Sequence, residues 1–193
     1  MREKGFSLVE LVAVLLVIAA LSGLAAPWFR AYLVEARLLG AGRVFKSEFL
    51  RARSIAVRSA ANTAIRFEQA ADGAWFYSVY LDGNHNGVLA ADIARGIDPR
   101  IGVTRRLDGG AAGVWVGIHE GVQAPPPDSG VLDPGRPIQF GRSFMVSFSP
   151  MGTATPGTFY LAGEAKQAAV RVTPGTARVR LMIWSGGRWA ERS

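Results

Sequence analysis

From Gly5 to Phe29 the chain reads GFSLVELVAVLLVIAALSGLAAPWF, an apolar run that holds a single ionisable side chain, Glu10, near its start. Read as a helix, Phe6 to Phe29 is roughly 36 Å long, enough for the ~30 Å hydrocarbon core of a bilayer. A secretory signal explains it less well, because its apolar stretch is typically about 7–15 residues and ends in small residues before a cut. Ser22, Gly23, Ala25 and Ala26 imitate such an end only loosely. An ordinary membrane anchor fits the length but leaves Glu10 without a purpose. An ionisable group inside a membrane is costly unless paired, so it marks a functional site by default.

The short polar leader, Met1–Gly5, runs into the segment KGFSLVE, which closely resembles the cleavage motif of type IV pilins and their type II secretion relatives, the pseudopilins. The resemblance implies a prepilin peptidase that cuts between Gly5 and Phe6 and N-methylates Phe6. Glu10, then fifth in the processed chain, would be the assembly residue that pairs with the terminal amine of a neighbouring subunit. Pro27 matches the proline that the family's long helix commonly carries, a kink where a missing backbone bond loosens the rod. The same resemblance implies a single-pass protein of the bacterial inner membrane with its head in the periplasm. Its partners would be other pilins or pseudopilins and the assembly platform, and its final place a fibre or fibre tip. Charge alone argues for the opposite topology, since Arg2 and Lys4 precede the span while Arg30, Arg37, Arg43 and Lys46 follow it. A long trailing domain can nevertheless be translocated largely regardless of charge.

With 193 residues, the part beyond Phe29 is long enough to bury a core of its own. There is no cysteine, which excludes a disulfide framework and a thiolate metal site. Basic residues number 22 against 15 acidic ones, and all the basic ones except Lys4, Lys46 and Lys166 are arginine. Arginine suits phosphate and carboxylate recognition, although such a bias also follows from a GC-rich genome.

Past Pro27 the helical pattern continues but becomes one-sided. Val34, Leu38, Ala41, Phe45, Phe49, Ala52 and Ala56 recur at spacings of three and four on one stripe, with Arg43, Lys46 and Arg53 opposite. Alternation then predicts strands around Thr63, Ile65 and Phe67; Trp75, Tyr77, Val79 and Leu81; Val114, Val116 and Ile118; and Phe144, Val146 and Phe148. The expected fold is α+β and pilin-like: a leader at 1–5, a long helix at 6–60 whose half at 6–29 is transmembrane, and a β-rich head at 61–193 with a mostly antiparallel sheet. Asp92–Gly113 and Gly121–Pro137 lack a strand pattern and read as loops. DGNHNG, Asp82–Gly87, has oxygens and glycine where an EF-hand loop has them, but the twelfth position is Ile93, not a glutamate, so a plain turn after the preceding strand is the better reading.

Near the C-terminus, FSPMGTATPGTFYL followed by AAVRVTPGTARVRLMIW resembles the H-type pseudopilin and FimT branch, with Phe148 and Gly152 in a Phe-x-x-x-Gly segment. That branch ends in a Gly-Arg-x-Arg-like hairpin, for which this chain has Ala177, Arg178 and Arg180. The branch comprises minor components of secretion pseudopili or type IV pili, and some FimT members bind DNA for uptake. A two-residue turn at Pro174–Gly175 would put Arg171 opposite Arg178, with Arg180 on the same outer face, while Val170, Val172, Ala177, Val179, Leu181 and Ile183 face the core. Like charges facing each other across a ladder would be relieved by an anion. Arg188, Trp184, Trp189 and Arg192 could add phosphate contacts and stacking surface. The alternative is a solvated basic edge that discourages strand pairing.

The expected function is therefore a minor pseudopilin or pilin acting by assembly or priming of a fibre, with a DNA-binding minor pilin for natural transformation as the alternative. No enzyme is expected. His85 and His119 are not in metal-ligand spacing, and neither Gly-x-Ser-x-Gly nor a phosphate-cradling glycine loop occurs, so no catalytic residue, metal or cofactor is assigned.

Overall fold

The computed structural model describes residues 7–107 and 111–192, with the side chains of residues 25–27 and 31 also outside the description. One helix, α1 (Leu8–Ser59), dominates it. It starts in a capping box: Ser7 Oγ accepts from the Val9 N–H at 3.3 Å, and Glu10 Oε2 accepts from the Ser7 N–H at 3.4 Å. It stops at Ala60, whose φ of 50° turns the chain out of the helix. Two straight pieces, Leu8–Leu24 and Trp28–Ser59, meet at 45°. Pro27 lies in the break between them.

The two halves of α1 meet different surroundings. Every described side chain from Ser7 to Leu24, then Trp28, Phe29, Arg30 and Tyr32, is exposed. From Leu38 onward the one-sided stripe is covered: Leu38, Ala41, Phe45, Phe49, Ala52 and Ala56 are all buried. No single helix among the described residues is long and apolar enough to cross a membrane, but the bent pair passes that test together, by length and composition.

The cover consists of two antiparallel sheets. One has the order β3 (Arg100–Arg106), β2 (Trp75–Leu81), β1 (Thr63–Gln69), β6 (Met145–Phe148). The other has the order β10 (Arg188–Arg192), β9 (Val179–Ser185), β8 (Gln167–Val172), β7 (Gly157–Gly163), β4 (Val114–Val116), with β5 (Ile138–Gln139) also on β7. The chain is thus α+β, an N-terminal helix packed on antiparallel sheet. At the seam Phe45 meets Phe159 at 4.7 Å and Tyr77 at 5.9 Å between ring centroids, while Phe49 sits among Phe67, Phe140 and Phe148. Close approach explains two glycines. A Cβ on Gly42 would lie 2.5 Å from Leu181 Cδ1, and one on Gly157 would lie 2.3 Å from the Gln139 carbonyl oxygen.

Three expectations need correction. The 92–113 segment is not a plain loop: it continues the short helix α2 (Ala90–Ala94) and then forms β3, an edge strand so exposed that it shows no inside-outside alternation to read. Phe144 does not face the core. Its φ of 50° ends the turn before β6 and leaves it 40% exposed, so the core-facing alternation begins only at Val146. The strand expected through Ile118 ends at Val116, and Ile118 joins a second apolar cluster on the far side of the β4–β10 sheet. The 121–137 segment holds no strand, only an isolated bridge between Gln123 and Val131.

Candidate functional site

Gly5 and Phe6, the expected cleavage and methylation positions, lie outside the described residues. Glu10 is described. Its carboxylate points back along the helix to take the Ser7 N–H, so the Ser7-x-x-Glu10 spacing works as a capping box. The S-x-x-E spacing carries that role in the sequence as well. It gives Glu10 a partner within its own chain and leaves further acceptor capacity on the carboxylate. Around it Leu8, Val9, Leu11 and Val12 are all exposed, a helix surface apolar on every side.

The C-terminal hairpin has another register than the one expected. Arg171 stands opposite Arg180, not Arg178, and Val172 opposite Val179. The loop holds four residues instead of two, closed by the Thr173 N–H donating to the Arg178 carbonyl at 3.0 Å. Ala177 supplies the left-handed step, with φ 46°, at the position where the resembled motif has glycine. A shift of two residues preserves the period of two, so the expected core face holds: Val170, Val172, Ala177, Val179, Leu181 and Ile183 are buried against α1.

The arginines do not form one patch. Arg171, its side chain 14% exposed, donates to Asp128 Oδ2 at 2.7 Å and to the Pro125 carbonyl at 3.1 Å, tying β8 to the proline-rich loop. Arg178 pairs with Glu191 at 3.1 Å. Arg180 lies between them on the outer face, with a buried Nε that has no hydrogen-bond partner. Arg188 pairs with Ser185, five residues along β9 from Arg180 and so about 17 Å away, and strand alternation puts it on the other face. The tryptophans are engaged too. Trp189 donates to the Gln123 carbonyl at 2.7 Å, and its ring packs on Trp184 at 5.5 Å and Tyr160 at 6.3 Å. Under this cover, burial pushes the Tyr160 hydroxyl up to about 12, against a hydrogen bond with Thr158.

The 82–98 segment is a hydrogen-bonded turn built on three buried carboxylates. Asp82 accepts from the Gly87 N–H, the Asn62 amide and the Asn84 N–H. Asp98 accepts from the N–H groups of Gly83 and Leu89, and Asp92 from the Asn84 and Asn86 amides and Arg95. Burial opposes ionisation of Asp82, but its hydrogen bonds from Asn62, Gly87, Asn84 and His85 hold the carboxyl below its ordinary value. The amides of Asn86 and Asn84, then Arg95, do the same for Asp92. Among the described residues no group of three or more His, Cys, Asp or Glu is arranged to hold a metal ion.

No family model, no curated protein and no solved structure matches this chain.

Proposed function

We propose that the chain is a type IV pilin-like subunit of the H-type pseudopilin and FimT branch, a minor pseudopilin or pilin that acts by assembling into, or priming, a fibre. The observation that carries this reading is the division of α1. Its first half is apolar and exposed on all sides, so something outside this chain must cover it, and its second half is the core of a β-rich head. In this reading bilayer lipid covers the rod in the free subunit and neighbouring rods cover it in the fibre, and the protein belongs to the bacterial inner membrane with its head in the periplasm. Glu10 within that rod, the KGFSLVE leader and Pro27 at the bend support the same reading.

The DNA-receptor alternative draws less support, because Arg171 and Arg178 already have carboxylate partners and Arg188 stands apart.

Glu10 provides the test, since the capping role and the assembly role part under substitution. Glu10→Gln keeps an acceptor for the Ser7 N–H and loses the charge. The variant is expected to insert in the membrane normally and to be depleted from fibres. Normal incorporation would refute pairing between Glu10 and a neighbour's amine.

A further inference from the structure

The apolar half of α1 ends in three exposed aromatic side chains, Trp28, Phe29 and Tyr32, with Arg30 among them. Trp and Tyr settle at headgroup level in bilayers. Three residues beyond Tyr32 the head begins: Glu35 is in an ion pair with Lys166, and one turn later Leu38 is fully buried, 3.6 Å from where a Gly163 Cβ would lie. Three helical residues rise about 4.5 Å, and the headgroup region is about 5–7 Å deep on each side of the hydrocarbon. The bend of 45° shortens that rise further along the membrane normal, to about 3 Å when the first piece stands upright. The β7–β8 turn, Glu164–Lys166, therefore lies within the headgroup layer whenever the aromatic side chains lie at its base.

Sheet register brings a second turn to the same end of the head. Gln167 pairs with both Ala162 and Trp184, so the β9–β10 turn, Ser185–Arg188, leaves the sheet at the same end as Glu164–Lys166. The Trp184–Trp189 pair lies directly behind it, and Arg188 is exposed. We infer that in the membrane-inserted subunit the head stands on the phospholipid headgroup layer through these two turns, an inference that rests on the reading of Leu8–Tyr32 as a membrane rod. Net charge is not what seats it. The cations Arg30, Arg37, Lys166 and Arg188 are nearly balanced at this end by Glu35, Glu120 and Glu164. The seat is set by position, and by tryptophan and arginine side chains suited to a boundary between hydrocarbon and water. The Pro174–Ala177 turn stands at the other end of β8, about 20 Å away along the strand.

The absence of cysteine makes the test direct, since each single-cysteine variant carries one fluorescent label. The full chain is reconstituted in phosphatidylcholine bilayers with a quencher placed on either the headgroup or the acyl chain, and labels are placed by Leu16→Cys, Ala165→Cys, Ser185→Cys and Thr176→Cys. The expected result is quenching of the Leu16 label from the acyl chain, and of the Ala165 and Ser185 labels several-fold more than Thr176 from the headgroup. Adding phosphatidylglycerol leaves that ratio unchanged. If Leu16 reports hydrocarbon while Ala165, Ser185 and Thr176 are quenched alike, the seat is wrong and the rod stands. A headgroup signal that needs phosphatidylglycerol overturns the positional argument. A Leu16 label in water overturns both.

Discussion

The two halves of α1 belong to one helix, bent by 45° around Pro27, and are two different objects by surface. The described side chains of residues 8–24 are exposed and mostly apolar in every direction, whereas from Leu38 to Ala56 one apolar stripe is buried under the sheets and only scattered apolar residues such as Val44 and Leu50 stay exposed. The contrast teaches that helix propensity and hydrophobicity do not decide what a segment packs against. The width of the apolar arc does: a narrow arc selects a partner on one side, and a full circle needs a surrounding medium or many neighbours.

Removing one large side chain from each half should separate the two most strongly. Phe49→Ala empties the centre of the aromatic seam and should cost the head about 3–5 kcal/mol in denaturant unfolding. Leu16→Ala should move the head's stability by no more than about 0.5 kcal/mol. Equal losses would mean that the rod is part of the folded core. A smaller effect comes from adding one methyl group to the sheet that covers the second half, in β7, and one to the first half. Gly157→Ala drives a Cβ to 2.3 Å from the Gln139 carbonyl, and overpacking of this kind costs about 1–3 kcal/mol. Gly23→Ala meets nothing within 4 Å, so the rod should gain helix stability of up to about 1 kcal/mol.

Within the head, acid acts on the buried carboxylates. Asp82 and Asp92 are both held below their ordinary values, so the unfolded chain takes up their protons first. Their contribution is fully present above about pH 4 and is lost as pH falls through the lower folded-state values. Unfolding midpoints measured across that range should fall with pH, and Asp82→Asn should flatten the decline. An unchanged slope would remove Asp82 from the account. The smallest effect is expected at the rim. Arg178 and Glu191 form an exposed pair, so Arg178→Ala should cost less than about 1 kcal/mol of stability. If the head binds DNA there after all, Arg178→Ala with Arg180→Ala should flatten the logarithmic salt slope by roughly 0.9 per lost phosphate contact.

Patterns with a repeat were legible in the sequence and patterns without one were not. The stripe from Leu38 to Ala56 and the strands at 63–69 and 75–81 follow from spacing alone. β3 was not visible because it is an edge with almost every side chain exposed. The hairpin faces were legible because any even shift conserves them, but the register was not, because it depends on loop length, and Ala177 at positive φ lengthens the loop. Whether an arginine is available was out of reach too: Asp128, which engages Arg171, is 43 residues away in sequence.

In the proposed reading, residues 8–32 are a rod that processing releases for membrane and fibre. That reading is tested most directly by the N-terminal mass of the protein recovered from assembled fibres. That protein should begin at N-methylated Phe6, and a Gly5→Ala variant should stay full-length in the membrane. Fibre-associated protein that retains Met1, or that begins anywhere other than Phe6, would contradict it.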